Sequence, residues 1–152
     1  RSYLLQSGNS NSANVTCGLT TSCGGTVAAN TNALLDFRFT GNSNTLNYTG
    51  NGSSLQAAVY VYGNGNTVTM EQSGAGGQQA LINIGATGAG NASPNNTVNV
   101  SQTSASMSSL VLSQSGAGST TFNISQTGTY SNVANISAAS SGGSFNIIQR
   151  SR

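Results

Sequence analysis

NTVNVSQTSASMSSLVLSQSGAGSTTFNISQ, residues 96–126, holds one seven-residue phrase three times, as NTVNVSQ, SSLVLSQ and TTFNISQ, each starting twelve residues after the last. Repetition at a short fixed period is the signature of a solenoid, whose units bury an apolar face only against neighbouring units. In each phrase apolar side chains stand third and fifth: Val98 and Val100, Leu110 and Leu112, Phe122 and Ile124. The residues between them are mostly Thr, Asn and Ser, so the phrase alternates with period two and reads as a half-buried β-strand with a wet, uncharged outer face.

Further copies extend the pattern on both sides. NTVTMEQ (66–72) and GSFNIIQ (143–149) are close matches, and NTLNYTG (44–50), ALINIGA (80–86) and NVANISA (132–138) are weaker ones. They add Leu46, Tyr48, Val68, Met70, Ile82, Ile84, Ile136, Phe145 and Ile147 to the expected core. One more strand lies somewhere in 55–62, with no register readable there, which makes nine strands in all. Runs such as SGAGG after Gln72 and SGAGS after Gln114 supply tight, flexible arcs between strands.

If two strands make a coil, the closing positions 50, 72, 102, 126 and 149 form one column, separated by 22, 30, 24 and 23 residues. The column reads Gly, Gln, Gln, Gln, Gln, while the opposite column, Ala86, Gln114 and Ala138, is broken. The longest coil carries an enlarged arc at 86–95 that includes the only proline, Pro94. The glutamines share the parity of the buried residues, where an unpaired amide is costly. Identical amides one strand spacing apart remove that cost by bonding along the stack, as in cross-β assemblies. The expected ladder residues are Gln72, Gln102, Gln114, Gln126 and Gln149, with the unit starts Asn44, Asn66, Asn96, Ser108 and Asn132. The plainer reading is that Gln and Asn are simply abundant in a polar repetitive chain; their recurrence at one position of the unit favours the ladder.

A single coil has too few apolar side chains to offset the entropy of ordering its backbone, so coils must stack, and the stack ends in unpaired strand edges. Natural proteins blunt such edges with Lys, Pro or bulges. This chain has no Lys and one Pro, and its last unit runs nearly to residue 152. That favours end-to-end stacking of copies into a homopolymer.

Composition narrows the function classes. The 152 residues suit one domain; 4% are charged, with Asp36 and Glu71 the sole acids, and the net charge is +2. Such a balance offers no nucleic-acid surface. No 18-residue apolar run exists to span a membrane, and a start at Arg1 fits a processed mature chain. With no His, no Lys and two distant acids there is no acid–base machinery for an enzyme, and nothing calls for a cofactor or metal. Glu71 takes an outward position and reads as a solvated residue or an edge guard. Cys17 and Cys23, with five residues between them, lack metal-ligand and redox-centre spacing. They read as a local disulfide closing a small loop, with a free pair the alternative, and either suits an extracytoplasmic setting.

The N/S-x5-Q units and Q-x-G-x-G arcs over residues 42–149 resemble the curlins, secreted subunits of bacterial curli fibres. The resemblance implies a flat β-solenoid with Gln72, Gln102, Gln114, Gln126 and Gln149 as ladder positions and Asn66, Asn96, Ser108 and Asn132 as matching starts. The five residues between Gln102 and Ser108 are one more than the family spacing, Ala86 and Ala138 stand where Gln would, and typical curlins lack the cysteine pair. The chain thus resembles a divergent relative, including the holdfast-anchoring kind. Implied partners are copies of itself, a nucleator subunit and an outer-membrane export pore.

Residues 1–41 are expected to form an irregular N-terminal segment, a cap, joining or export segment, ahead of a repeat domain at 42–152; LLDFRF (34–39) is read there as a break in the polar alternation. The resulting expectation is an all-β solenoid of strand-arc-strand repeats, about 22–24 residues per coil, acting as a self-assembling subunit of an extracellular, cell-surface fibre for biofilm matrix or adhesion. The alternatives are a monomeric β-solenoid binding module, including an ice-binding one, for which Thr67-Val68-Thr69 offers a T-x-T array, and a fragment of an adhesin stalk.

Overall fold

The computed structural model describes residues 2–8, 10, 12–17, 34–41, 43–62, 65–85, 96–104, 108–115, 120–129, 132–138 and 142–151. They form twelve strands: β1 (Ser2–Ser7), β2 (Ser12–Cys17), β3 (Leu34–Thr40), β4 (Thr45–Asn51), β5 (Gln56–Tyr62), β6 (Thr67–Gly74), β7 (Gln79–Gly85), β8 (Asn96–Ser104), β9 (Ser109–Gln114), β10 (Thr120–Gly128), β11 (Val133–Ala138) and β12 (Ser144–Ser151). Odd strands make one six-stranded sheet, β1-β3-β5-β7-β9-β11, and even strands the other, β2-β4-β6-β8-β10-β12. Every pairing is parallel and links a strand to the one two places along the chain. Parallel neighbours need a crossover connection, and here the crossover is a strand of the other sheet. The protein is an all-β solenoid with two strands per coil and six coils.

The core lies between the sheets. Leu46, Tyr48, Val68, Met70, Ile82, Ile84, Val98, Val100, Leu110, Leu112, Phe122 and Ile124 are each no more than 2% exposed. Ile136 is half-buried against this cluster. Two residues expected in the core are not in it: Phe145 is 49% and Ile147 45% exposed. They stand in register with Phe122 and Ile124, but β12 is the last strand of its sheet, so no further coil covers them.

The first 41 residues are not a separate irregular segment where the structure describes them. β1, β2 and β3 belong to the same two sheets, which raises the count to twelve strands. β3 alternates in direction, with Leu35, Phe37 and Phe39 buried inside and Asp36 and Arg38 on the other side; Asp36 is nonetheless buried, its carboxylate accepting from Arg38 Nε at 3.0 Å and Nη2 at 3.1 Å. The alternation of LLDFRF was therefore present, with Leu34, Asp36 and Arg38 at places that elsewhere hold Thr, Asn or Ser. The enlarged arc at 86–95, with Pro94, lies outside the described residues.

The register of the odd sheet also departs from expectation at one strand. Ile84, not Ala86, pairs with Gln114, while Ile82 pairs with Leu112; Ala86 itself lies outside the described residues. The unit thus starts at Gln78 and is shifted by two residues, which keeps the same side chains inward. The strand in 55–62 takes its place by pairing Val59 with Phe37 and with Ile82.

Candidate functional site: amide ladders and open edges

The arcs that lead into the even strands set the geometry. Ser10, Ser43 and Gly65 hold φ of 57°, 56° and 64° in successive coils, a repeated left-handed corner that directly precedes Asn44 and Asn66. At such a corner the next N–H points along the stack rather than into the sheet. The Asn44 N–H donates to Asn66 Oδ1 at 2.9 Å, and the Asn66 N–H to Asn96 Oδ1 at 3.0 Å. The Nδ2 groups follow the same path, from Asn44 to Asn66 at 3.2 Å and from Asn66 to Asn96 at 3.4 Å. This start column therefore satisfies corner backbone as well as its own amides. It stops at Thr120, whose buried hydroxyl has no partner because it is too short to reach the next coil. In the odd sheet Asn132 repeats the device once, its Oδ1 accepting from the Ser108 N–H at 3.3 Å.

The closing column of the even sheet runs Cys17, Gly50, Gln72, Gln102, Gln126, Gln149. Gln102 Nε2 donates to Gln72 Oε1 at 3.0 Å, Gln126 to Gln102 at 2.9 Å, and Gln149 to Gln126 at 2.8 Å. Each second Nε2 proton crosses to the neighbouring odd-strand segment: Gln72 to the Gln79 carbonyl, Gln102 to Ser109, Gln126 to Val133 and Gln149 to Asn132, at 3.1–3.4 Å. The column thus ties coil to coil and sheet to sheet. Gln72, Gln102 and Gln126 are fully buried, whereas Gln149 is exposed on the last strand.

Below Gln72 the ladder ends. A Cβ on Gly50 would run into the Tyr48 hydroxyl, so the phenol occupies the space where a glutamine would lie. That hydroxyl makes no hydrogen bond of full geometry, and burial pushes it up to about 12, with the nearby Gln72 amide offsetting part of the rise. Cys17, one coil further, is disulfide-bonded; Cys23 lies outside the described residues.

In the odd sheet the corresponding column holds Phe39, Val61, Ile84, Gln114 and Ala138. Gln114 is buried there between an isoleucine and an alanine, so no amide ladder forms. Gln78 escaped sequence reading: it is fully buried at the start position, donating to the Gly52 carbonyl at 3.2 Å and to Gly76 at 3.0 Å. Its signal was a glutamine two places before the ALINI alternation.

The outer face of the even sheet is ordered as well. Ser12, Thr45, Thr67, Thr97, Thr121 and Ser144 share one register column, and Asn14, Asn47, Thr69, Asn99, Asn123 and Asn146 the next. Asn47 donates to Asn14 at 2.8 Å and Asn123 to Asn99 at 2.9 Å. Glu71 is exposed on this face. A shallow groove runs between the asparagine column and the column holding Ser101 and Ser125.

The described residues contain no helix long and apolar enough to cross a membrane and no cluster of metal-ligating side chains. Fold and site together define a parallel β-solenoid of two strands per coil, bound internally by Asn and Gln ladders. The chain matches no family model, no curated protein and no solved structure.

Proposed function

We propose that this chain is a self-assembling structural subunit of an extracellular, cell-surface fibre of curlin-like type, serving a biofilm matrix or surface attachment. The observation that carries the reading is the pair of open ends: both sheets stop in strands that pair on one edge only among the described residues, with Phe145, Ile147, Ile148 and Val133 exposed at one end. An apolar, unpaired, parallel edge without lysine is a template for another copy. A disulfide at Cys17 suits an oxidising, extracytoplasmic setting. In this reading a nucleator subunit and an outer-membrane export pore are the remaining partners. Electron microscopy and fibre diffraction of the purified chain at micromolar concentration test it. Unbranched fibres with a reflection near ~4.8 Å support it, and a persistent monomer sinks it. A monomer would favour the second reading, a binding module that uses the regular Thr and Asn columns on the even sheet's outer face.

A further inference from the structure

The two ends of the solenoid are shaped differently. At one, β11 and β12 turn Ile136, Ala138, Phe145, Ile147 and Gln149 inward; at the other, β1 and β2 turn Leu4, Gln6, Ala13, Val15 and Cys17 inward. All pairings are parallel and keep each column in register. A second copy stacked one strand spacing beyond β11 and β12 therefore keeps every column in register if its β1 and β2 arrive first. Ile136 then meets Leu4, Ala138 meets Gln6, Phe145 meets Ala13, Asn146 meets Asn14 and Ile147 meets Val15. The sizes complement one another, since the largest inward side chain of one end faces the smallest of the other, and Gln6 faces an alanine.

The glutamine column behaves otherwise. All of its column bonds are donated toward the β2 end, so continuing it needs an amide at the place where Cys17 stands. That residue is disulfide-bonded. The outer asparagines keep the same polarity, with Asn47 donating to Asn14 and Asn123 to Asn99, and Asn146 lies in that column ready to accept from Asn14 of another copy.

Resting on the fibre reading above, we infer that copies join head to tail, the β11–β12 end of one on the β1–β2 end of the next, through the apolar columns and an Asn14–Asn146 contact. The glutamine ladder stays within each subunit. The joint is directional, because the two surfaces differ.

Charges introduced at the exposed asparagine pair read the register without disturbing the core. Elongation of seeded fibres, followed by light scattering, is expected to slow more than tenfold for N14K/N146K and to return to within threefold of wild type for N14K/N146D. Direction is read with V15K and I147K. Each alone stays monomeric by mass photometry, and a mixture gives a heterodimer and nothing longer. N14K/N146D reports separately should V15K fail to fold. Gln149→Leu, at the joint but in the one column that carries no bond across it, changes elongation less than threefold. A wild-type chain that never assembles overturns the fibre reading itself. Normal fibres from N14K/N146K, dimers of V15K alone, or a tenfold loss with Gln149→Leu overturn the joint and leave the fibre standing.

Discussion

Gln102 is the middle of the buried column, accepting from Gln126 and donating to Gln72 and to the Ser109 carbonyl. Leucine fits its volume but leaves the Gln72 Oε1 and the Ser109 carbonyl without their donor inside the protein. Each buried group so stranded costs about 1–3 kcal/mol, so Gln102→Leu is expected to lower the stability of the monomeric chain by roughly 3 kcal/mol in urea unfolding. Thr97→Ala, on the outer face of the same strand, is expected to stay within about 0.5 kcal/mol. Equal losses for the two would mean that the buried column contributes nothing beyond an ordinary polar surface. Gly50 and Tyr48 form a coupled pair on the same column. Gly50→Gln alone drives an amide into the space of the phenol, and Tyr48→Val alone leaves a cavity of ring size; each is expected to cost about 3 kcal/mol. Together they exchange phenol for amide and extend the ladder by one coil. The double variant is expected to recover at least roughly 2 kcal/mol of the summed losses as coupling energy; strictly additive losses would show that Tyr48 does not stand in for a glutamine.

At the scale of the element, period-two alternation made most strands legible. In β6, β8 and β10 the inward places are apolar or amide except for Ser104 and Thr120 at strand ends, and almost every outward one is Thr, Asn, Ser or Glu, so pattern and burial coincide. β3 and β5 were harder because their outward places carry Leu34, Asp36, Arg38, Tyr60 and Tyr62, side chains that blur the contrast on which the pattern depends. The buried glutamines were legible from their spacing. The Asn corner bonds were not, since nothing in the letters shows that the N–H after a left-handed corner points along the stack. Parity alone also leaves a shift of two residues invisible, because it exchanges one inward residue for another; the letters therefore set Ala86 opposite Gln114 where the strand sets Ile84. The pairing of Asn83 with Ser113 makes the difference measurable. Cysteines at 83 and 113 sit on the outer face one strand spacing apart, within reach of a disulfide. They are expected to crosslink fully under mild oxidation, whereas cysteines at 85 and 113, the pair of the shifted register, crosslink slowly. The opposite ranking on a non-reducing gel would restore the shifted register.

For the molecule as a whole, the sparse charge and the absence of histidine decide how stability responds to solution conditions. Four arginines and two acids among 152 residues leave little long-range field for salt to screen, and no side chain whose ordinary pKa falls between pH 5 and 8. The buried network is instead made of amides and backbone groups, which do not titrate. Unfolding free energy is therefore expected to be level from about pH 5.5 to pH 9 and to change by less than about 0.5 kcal/mol between 20 mM and 500 mM salt. The exception comes at high pH from Tyr48, pushed up to about 12 by burial from the ordinary phenol value of 10.0. The folded chain holds that proton more tightly than the unfolded one. Its contribution is complete below pH 10 and is lost as pH rises through about 12, a loss of roughly 2 kcal/mol. Tyr48→Phe removes the ionisable group and keeps the ring, so its urea midpoint is expected to match wild type at pH 7 and to exceed it at pH 11.5. Parallel decline of the two proteins above pH 10 would place the alkaline loss elsewhere, and a midpoint that moves between pH 5.5 and 9 would mean that a titrating group contributes to a stack otherwise held by neutral hydrogen bonds and apolar columns.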